Sequence, residues 1–422
     1  MPKIFLIPIE TSVRELDYKL LLSLKLAQKD AMVFLGSKGK LLPLIESMTN
    51  FNYLDKGYHK GQSENLYNNI KNRQGYIFSL DEEGAVDFND NSSLKSRYSQ
   101  TLFEQAERVY LWGKNQKEIY GHSYKNSIVT GHPRFEILKK EFRSIFSRDV
   151  RKLQKDFGDF ILINTNMSFG NNIRGNSFVI NNYEHRFPQI KKIIAQDHQK
   201  INIILETISR LLSASKKVIL RPHPEESTIF YKENFKNNEN FIINKSDSVI
   251  PWIIASKTVI HTDCTTALEA FCLDKIPISV LPKDLDETFI CPLPLKISIE
   301  SSPQQIVQDL DDYNFLRNKI NSEVIEDNLS FSLDSLNLIS DDLINKSQES
   351  KIDFKNILIN ILKMKARDIF INNNDELMEA KLNGFKSDEI NKKIKNFSNI
   401  LNLEDNFIAK KISDHLFEIK IS

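Results

Sequence analysis

The sequence predicts an α/β protein of two similar halves followed by a helical tail. Three observations carry this prediction. Short apolar runs alternate with helix-length segments through the first 145 residues. The alternation restarts after a charged, apolar-poor stretch at 139–156. From about residue 300 the strand-like runs give way to polar, helix-like sequence. A length of 422 residues suits two domains and an appendage. The expected boundaries are 1–145, 146–315 and 316–422.

In the first half, residues 3–9 read as a strand and 13–29 as a helix, with Leu16, Leu20, Leu21, Leu24 and Ala27 at helical spacing. Residues 31–35, 75–80, 108–112 and 127–130 read as further strands. In the second half the strands are 160–164, 217–220, 240–243, 258–261 and 276–281, with helices at 201–213 and 265–272. Strands separated by helices form parallel sheets covered on both faces. Beyond residue 300, Ser301-Ser302-Pro303 reads as the start of a helix with proline in its first turn. The tail carries a lysine-rich amphipathic helix near 375–395. It reads as a helical cap, with peripheral contact to a membrane surface or a partner as the other use of such a face.

Composition excludes several function classes. Lys and Arg number 57 against 56 acids, so no long-range field draws nucleic acid. No apolar run reaches the 18 or so residues that span a bilayer, and the apolar start at 4–9 is too short for a signal peptide. Cys264, Cys272 and Cys291 are too few and too irregular for a disulfide framework or a zinc site, so they read as reduced core residues of a cytoplasmic protein. Phosphate-loop, dinucleotide-binding and nucleophile-elbow glycine motifs are absent.

Ligands of α/β folds bind at the carboxyl ends of strands, so the residues there are the candidates. Arg221-Pro222-His223-Pro224 follows an apolar strand, and its two prolines force a turn. Its imidazole and guanidinium suit phosphate oxygens, or they pair with nearby acids. His261-Thr262-Asp263-Cys264-Thr265-Thr266 opens a helix whose free N–H groups and threonine hydroxyls suit an anion, or simply cap the helix. Asp81-Glu82-Glu83-Gly84 places three carboxylates side by side, and their repulsion should raise at least one pKa, as an acid/base catalyst needs. Asn164-Thr165-Asn166 could hold sugar hydroxyls or cap a loop. Glu10 and Arg14 at the first strand's end could face an acceptor or cap the following helix. Gly131-His132-Pro133-Arg134 reads as a ligand contact through His132 and Arg134 or as a hinge turn.

These motifs, in this order, resemble a known group. An acidic Asp/Glu-Asp/Glu-Gly motif in the first half and His-Pro in the second are shared with bacterial polysialyltransferases and Kdo transferases of capsule and O-antigen. Ile7-Pro8-Ile9-Glu10, Arg14-Glu15-Leu16-Asp17, Gly131-His132-Pro133-Arg134-Phe135 and Asn164-Thr165-Asn166 look more specifically like a surface carbohydrate biosynthesis family, over about residues 1–290. The resemblance implies a GT-B fold, with two Rossmann-like domains facing a central cleft. It implies transfer of a Kdo- or sialic-acid-like sugar from a CMP-activated donor to a glycan or lipid-linked glycan acceptor, in the cytoplasm or at the inner membrane. By position it makes Glu82 or Glu83 the acid/base and His223 the phosphate contact. Arg221, Pro224, Thr265, Thr266, Asn164 and Asn166 then surround the donor. It implies no metal and no cofactor beyond the substrate nucleotide, and no nucleic-acid partner. The Kdo transferases' second-half carboxylate nucleophile has no clear counterpart, since Asn164 and Asn166 are amides. Two other readings share the frame. One is a CDP-linked polyol-phosphate transferase with His132 as base; the other is an inactive scaffold of polysaccharide assembly. A UDP-sugar epimerase is the less favoured enzyme.

Overall fold

A computed structural model describes residues 1–59, 61–85, 87–89, 91–313, 322–370 and 381–421. The described chain divides into two units. The first comprises 1–84, 93–145 and 326–422; the second comprises 85–92 and 146–325.

The first unit is built on β1 (Ile4–Ile9), β2 (Met32–Ser37), β3 (Met48–Thr49), β4 (Asn52–Asp55), β5 (Tyr76–Leu80), β6 (Arg108–Leu111) and β7 (Ser127–Val129). Six of these run parallel in the order β2-β1-β4-β5-β6-β7. All six residues of β1 are buried, as a strand covered on both faces requires. The helix Ser12–Ala27 follows β1 and buries Leu16, Leu20, Leu21 and Leu24.

The second unit contains β8 (Ile161–Asn164), β9 (Val218–Arg221), β10 (Phe241–Ile243), β11 (Val259–His261), β12 (Ile278–Val280) and β13 (Ile299–Ser301). All pair in parallel, in the order β10-β9-β8-β11-β12-β13. Relabelled from β8, this is the doubly wound order 3-2-1-4-5-6, whose strand order reverses between β8 and β11. Ile161, Ile163, Leu220, Ile260 and Ile278 fill the sheet core against Ile201, Ile204, Ile208 and Leu211 of the helix Ile190–Ser213.

The tail corrects one expectation. It is not only helical and is not a separate appendage: 326–422 belong to the first unit. β14 (Lys351–Ile352) pairs with β3, and a hairpin of β15 (Phe407–Ser413) and β16 (Leu416–Ile421) extends the large sheet antiparallel to β2. The hairpin covers what would be an exposed sheet edge. Its turn uses His415 at φ +55°. The helix over 375–395 is realised as Ser387–Ile400, while 375–380 lie outside the described residues, as does the 315/316 boundary. The helix after Ser301-Ser302-Pro303 begins only at Ile306, with Gln305 at its N-cap and Pro303 in the preceding turn.

Close approach and a shared proton dock the helix Ser335–Lys346 on the first unit. A Cβ on Gly131 (φ +69°) would lie 2.6 Å from Ser335 Oγ, so no larger residue fits there. Asp342 accepts from Arg108 Nε at 3.1 Å and from Tyr110 Oη at 3.0 Å. Buried Glu136 accepts from Leu336 N at 2.6 Å and bonds to Asp334. Burial pushes the Glu136 carboxyl up to about 8, with its bond to Asp334 adding to the rise. A carboxyl whose pKa is higher folded than unfolded stabilises fully below its unfolded value of about 4 and loses that contribution as pH rises. Melting temperature should therefore fall between about pH 4 and pH 8. Glu136→Gln keeps the shape of the protonated acid. It should flatten the upper part of that fall, and a pH series of melting curves on both proteins checks this.

Candidate functional site

In the first unit, the carboxyl end of β5 delivers Asp81, Glu82 and Glu83 beside Arg14, Tyr18 and Lys19 of the helix Ser12–Ala27. Lys19 Nζ is buried and reaches three acceptors: Pro8 O at 2.9 Å, Glu15 Oε2 at 2.9 Å and Glu82 Oε1 at 2.8 Å. Glu15 also accepts from Glu10 N and Thr11 N, fixing the helix entry. Tyr18 Oη donates to Glu82. Arg97 bonds Asp81 Oδ2 at 3.0 Å and Glu83 Oε2 at 3.1 Å, and Arg14 bonds Glu83 Oε1 at 3.3 Å.

The repulsion argument for the acidic motif is corrected by these cations. Burial would raise Glu82, but Lys19 and Arg14 outweigh it and hold its carboxyl below the usual range. Burial would likewise raise Glu83, yet Arg14, Arg97 and Lys56 bring it down to about 2. Only Asp81 is raised, chiefly by burial, with the charges of Glu83 and Glu82 adding to the rise against Arg97. Glu82 is buried, whereas the Glu83 side chain is 43% exposed, so Glu83 is the accessible carboxylate. The other first-half candidates lie close by. Glu10 pairs with Lys56 at 2.6 Å. Arg134 donates to Glu82 O at 3.3 Å. His132 is buried, edge-on to Tyr18 and to Trp112 with ring centroids 4.9 Å apart in each case. Burial, with Arg134, Lys19 and Arg14 nearby, drives its pKa well down. Its Nδ1 accepts from Arg134 N at 3.0 Å, which assigns the proton to Nε2. His132 Nε2 and Glu82 Oε2 are both buried without a partner among the described residues. A histidine in this tautomer donates at Nε2 and has no lone pair there to act as base.

In the second unit the candidates cluster at the strand-order reversal. β8 ends at Asn164 and β11 at His261, on adjacent strands, while β9 ends at Arg221 on β8's other side. The turn after β9 is held by two side chains, Glu226 and Lys245. Buried Glu226 accepts from Thr165 Oγ1 (2.8 Å), Met167 N (2.9 Å), Tyr231 Oη (2.9 Å) and His223 N (3.1 Å). Lys245 Nζ donates to Pro224 O at 2.8 Å and Glu226 O at 2.6 Å. Half-buried His223 accepts at Nδ1 from Glu225 N at 3.2 Å, which assigns its ring proton to Nε2. Pro224 is exposed beside it.

Four residues expected at the donor site have polar groups engaged inside the unit. Arg221 spends three N–H groups on the 244–247 loop: Asn244 Oδ1 at 2.6 Å, Ser246 O at 2.8 Å and Asp247 O at 2.8 Å. It also lies over Trp252, and burial lowers its pKa to about 10. It orders the turn's neighbour loop rather than standing ready for phosphate. Asn166 donates to Asp263 Oδ1 and accepts from Thr262 Oγ1, both at 3.1 Å. Thr266 Oγ1 accepts from Asn164 Nδ2 at 3.1 Å and donates to Cys264 Sγ at 3.2 Å. Asn164 Oδ1 is buried without a partner among the described residues. Thr265 caps a helix of only seven residues and makes no side-chain capping bond.

Sequence reasoning missed the residues that hold these loops. Asp263 accepts from Lys200 Nζ at 2.8 Å, and Asp197 takes the N–H groups of Phe169 (3.2 Å) and Gly170 (2.9 Å). Burial raises Asp197 to about 7 despite Lys200. Asp197 and Lys200 stand three apart on one helix, the only signal for them in the sequence. Glu226 and Lys19 were equally unremarkable as letters.

No family model matches the sequence, and no curated protein matches it. Solved structures do. The UDP-GlcNAc 2-epimerase of Neisseria meningitidis bound to UDP-GlcNAc aligns with 82% of this chain and 100% of its own, at 11% identity and a TM-score of 0.51. The S. aureus MnaA–UDP structure aligns with 84% of this chain and all of its own, at 13% identity and a TM-score of 0.50. Among the described residues no helix is long and apolar enough to cross a membrane. At such low identity the likeness establishes architecture: the chain has the GT-B fold, two Rossmann-like α/β units.

Proposed function

We propose that the protein is a glycosyltransferase that takes an acidic, Kdo- or sialic-acid-like sugar from a CMP-activated donor for surface glycan assembly. The observation that carries this reading is the turn at His223. Glu226 and Lys245 both bond its backbone, and the Glu225 N–H holds Nδ1. Its Nε2–H is a donor at the carboxyl end of β9, the strand paired with β8 at the order reversal where a doubly wound sheet takes its nucleotide. A donor at that point stabilises the charge that develops on a departing phosphate. The acceptor's proton is assigned to Glu83, the more exposed carboxylate of the acidic motif, with Glu82 holding charge within the buried network. A pKa near 2 makes Glu83 a weak base until substrate displaces one of its arginines. Glu83→Gln should lower turnover without changing nucleotide affinity.

The second reading is a UDP-sugar enzyme, favoured by the UDP ligands of the solved structures with this fold. The polyol-phosphate reading loses support, because His132 carries its proton on Nε2. Melting curves with CMP, CDP, UDP and GDP separate the readings. CMP should give the largest rise, about 2.7 kcal/mol of stabilisation at a hundred times its dissociation constant. Selective stabilisation by UDP would overturn the donor assignment.

A further inference from the structure

The helix Phe354–Phe370 of the first unit has two apolar faces. One is anchored. Ile357, Ile361 and Met364 pack on the core beneath β3 and its neighbours. Asn360 donates to Pro43 O at 3.0 Å and to Ser47 Oγ at 2.8 Å. Asp368 pairs with Lys40 and accepts from Ser413 Oγ at 2.5 Å. The other face is bare. Phe354 is 77% exposed, Leu358 and Leu362 are each 58% exposed, and Ile359 is also exposed. Phe354, Leu358 and Leu362 are four residues apart and form one stripe along the helix. Lys355, Lys363, Lys365 and Arg367 are exposed among and beside them. From 354 to 367 there is no acidic residue.

A single exposed Leu needs no explanation, but a stripe laced with cations does. We infer that this helix docks the protein on an anionic lipid surface. The apolar stripe enters the boundary between headgroups and acyl chains, and the basic side chains reach the headgroup phosphates. Long lysine stems suit this position, because they lie along apolar surface while the ammonium stays in the polar layer. A second copy of the chain fits the face poorly. Pairing through it would set four cations against four. Four side chains also fall short of the ~800 Å² per partner of a standard stable interface. The inference stands apart from the donor assignment, since no residue of the nucleotide turn takes part.

Co-sedimentation of the full chain with vesicles tests it, using phosphatidylcholine alone and phosphatidylcholine with about one third phosphatidylglycerol. The protein should pellet with the anionic vesicles only, and less so as salt rises. Leu358→Asp with Leu362→Asp should cut binding at least about tenfold. Lys355→Gln, Lys363→Gln and Lys365→Gln together should cut it by a similar factor. All five positions are exposed, so both variants should melt like the parent. Failure of the parent to bind anionic vesicles, or equal binding by the variants, would overturn the inference. So would a concentration-dependent dimer that the Asp pair abolishes.

Discussion

His223→Ala should weaken nucleotide binding by about tenfold to a hundredfold while leaving the melting temperature close to that of the parent. The range follows from losing one hydrogen bond to a charged phosphate, roughly 1.5–3 kcal/mol. Turnover should fall further, by about 10²–10³, because the bond strengthens as charge builds on the leaving phosphate. The fold should survive. The imidazole is half-buried, and its Nδ1 accepts from Glu225 N. The backbone of the turn is held by other groups, Glu226 and Lys245. His223→Gln places an amide donor in a similar position and should recover part of the affinity. Calorimetric titration of the three proteins with CMP measures this, and equal affinity across them would remove His223 from the phosphate site.

Lys19→Met should destabilise the first unit by about 3–5 kcal/mol, the usual cost of stripping one partner from a buried ion pair. The Met side chain fills the volume but leaves Glu15 and Glu82, both buried, without their shared cation. Arg14 sits 3.8 Å from Glu15 and already serves Glu83, so it cannot replace both bonds. Adding Glu82→Gln removes one of the two stranded charges and should recover a large part of the loss. Urea unfolding of the parent, both single variants and the double gives the coupling directly. A loss below about 1 kcal/mol in Lys19→Met would mean that the network is not a unit.

What could be read from the letters was mostly what periodicity controls. The α/β alternation placed β1, β2 and β5 to β7, and β8 to β12 of the second sheet, within a residue or two, while β13 fell where the sequence reads as the start of a helix. Apolar runs bounded by turns leave little choice of conformation. β4 was missed because Asn52-Tyr53-Leu54-Asp55 begins and ends on polar side chains. Asn52 is buried because its amide donates to Ile4 O and Gln348 O, a pairing with no local signature. The hairpin at 407–421 was missed for another reason. Lys410 and Lys411 stand side by side and break the period-two alternation, and they follow a helix equally rich in lysine.

The strand-end motifs were legible as positions but not as roles. Nothing in Arg221-Pro222-His223-Pro224 says that the arginine turns to the 244–247 loop while the histidine stays at the surface of the turn. That division depends on Asn244 and Asp247, more than twenty residues away. The acidic triplet misled in the same way. Cations lower Glu82 and Glu83 despite their neighbours, and only Asp81, where burial outweighs Arg97, is raised. Arg14, Lys19 and Arg97 come from two other helices.

The central claim is that His223 Nε2–H meets the phosphate of a cytidine nucleotide. Long-range ¹⁵N–¹H spectra of protein labelled in its histidine rings test it most directly. His223, assigned by comparison with His223→Ala, should show the Nε2–H tautomer in the free protein. Saturating CMP should shift its Nε2 resonance, and UDP at the same concentration should not. A His223 resonance that stays fixed while CMP saturates, or that carries its proton on Nδ1, would contradict the account.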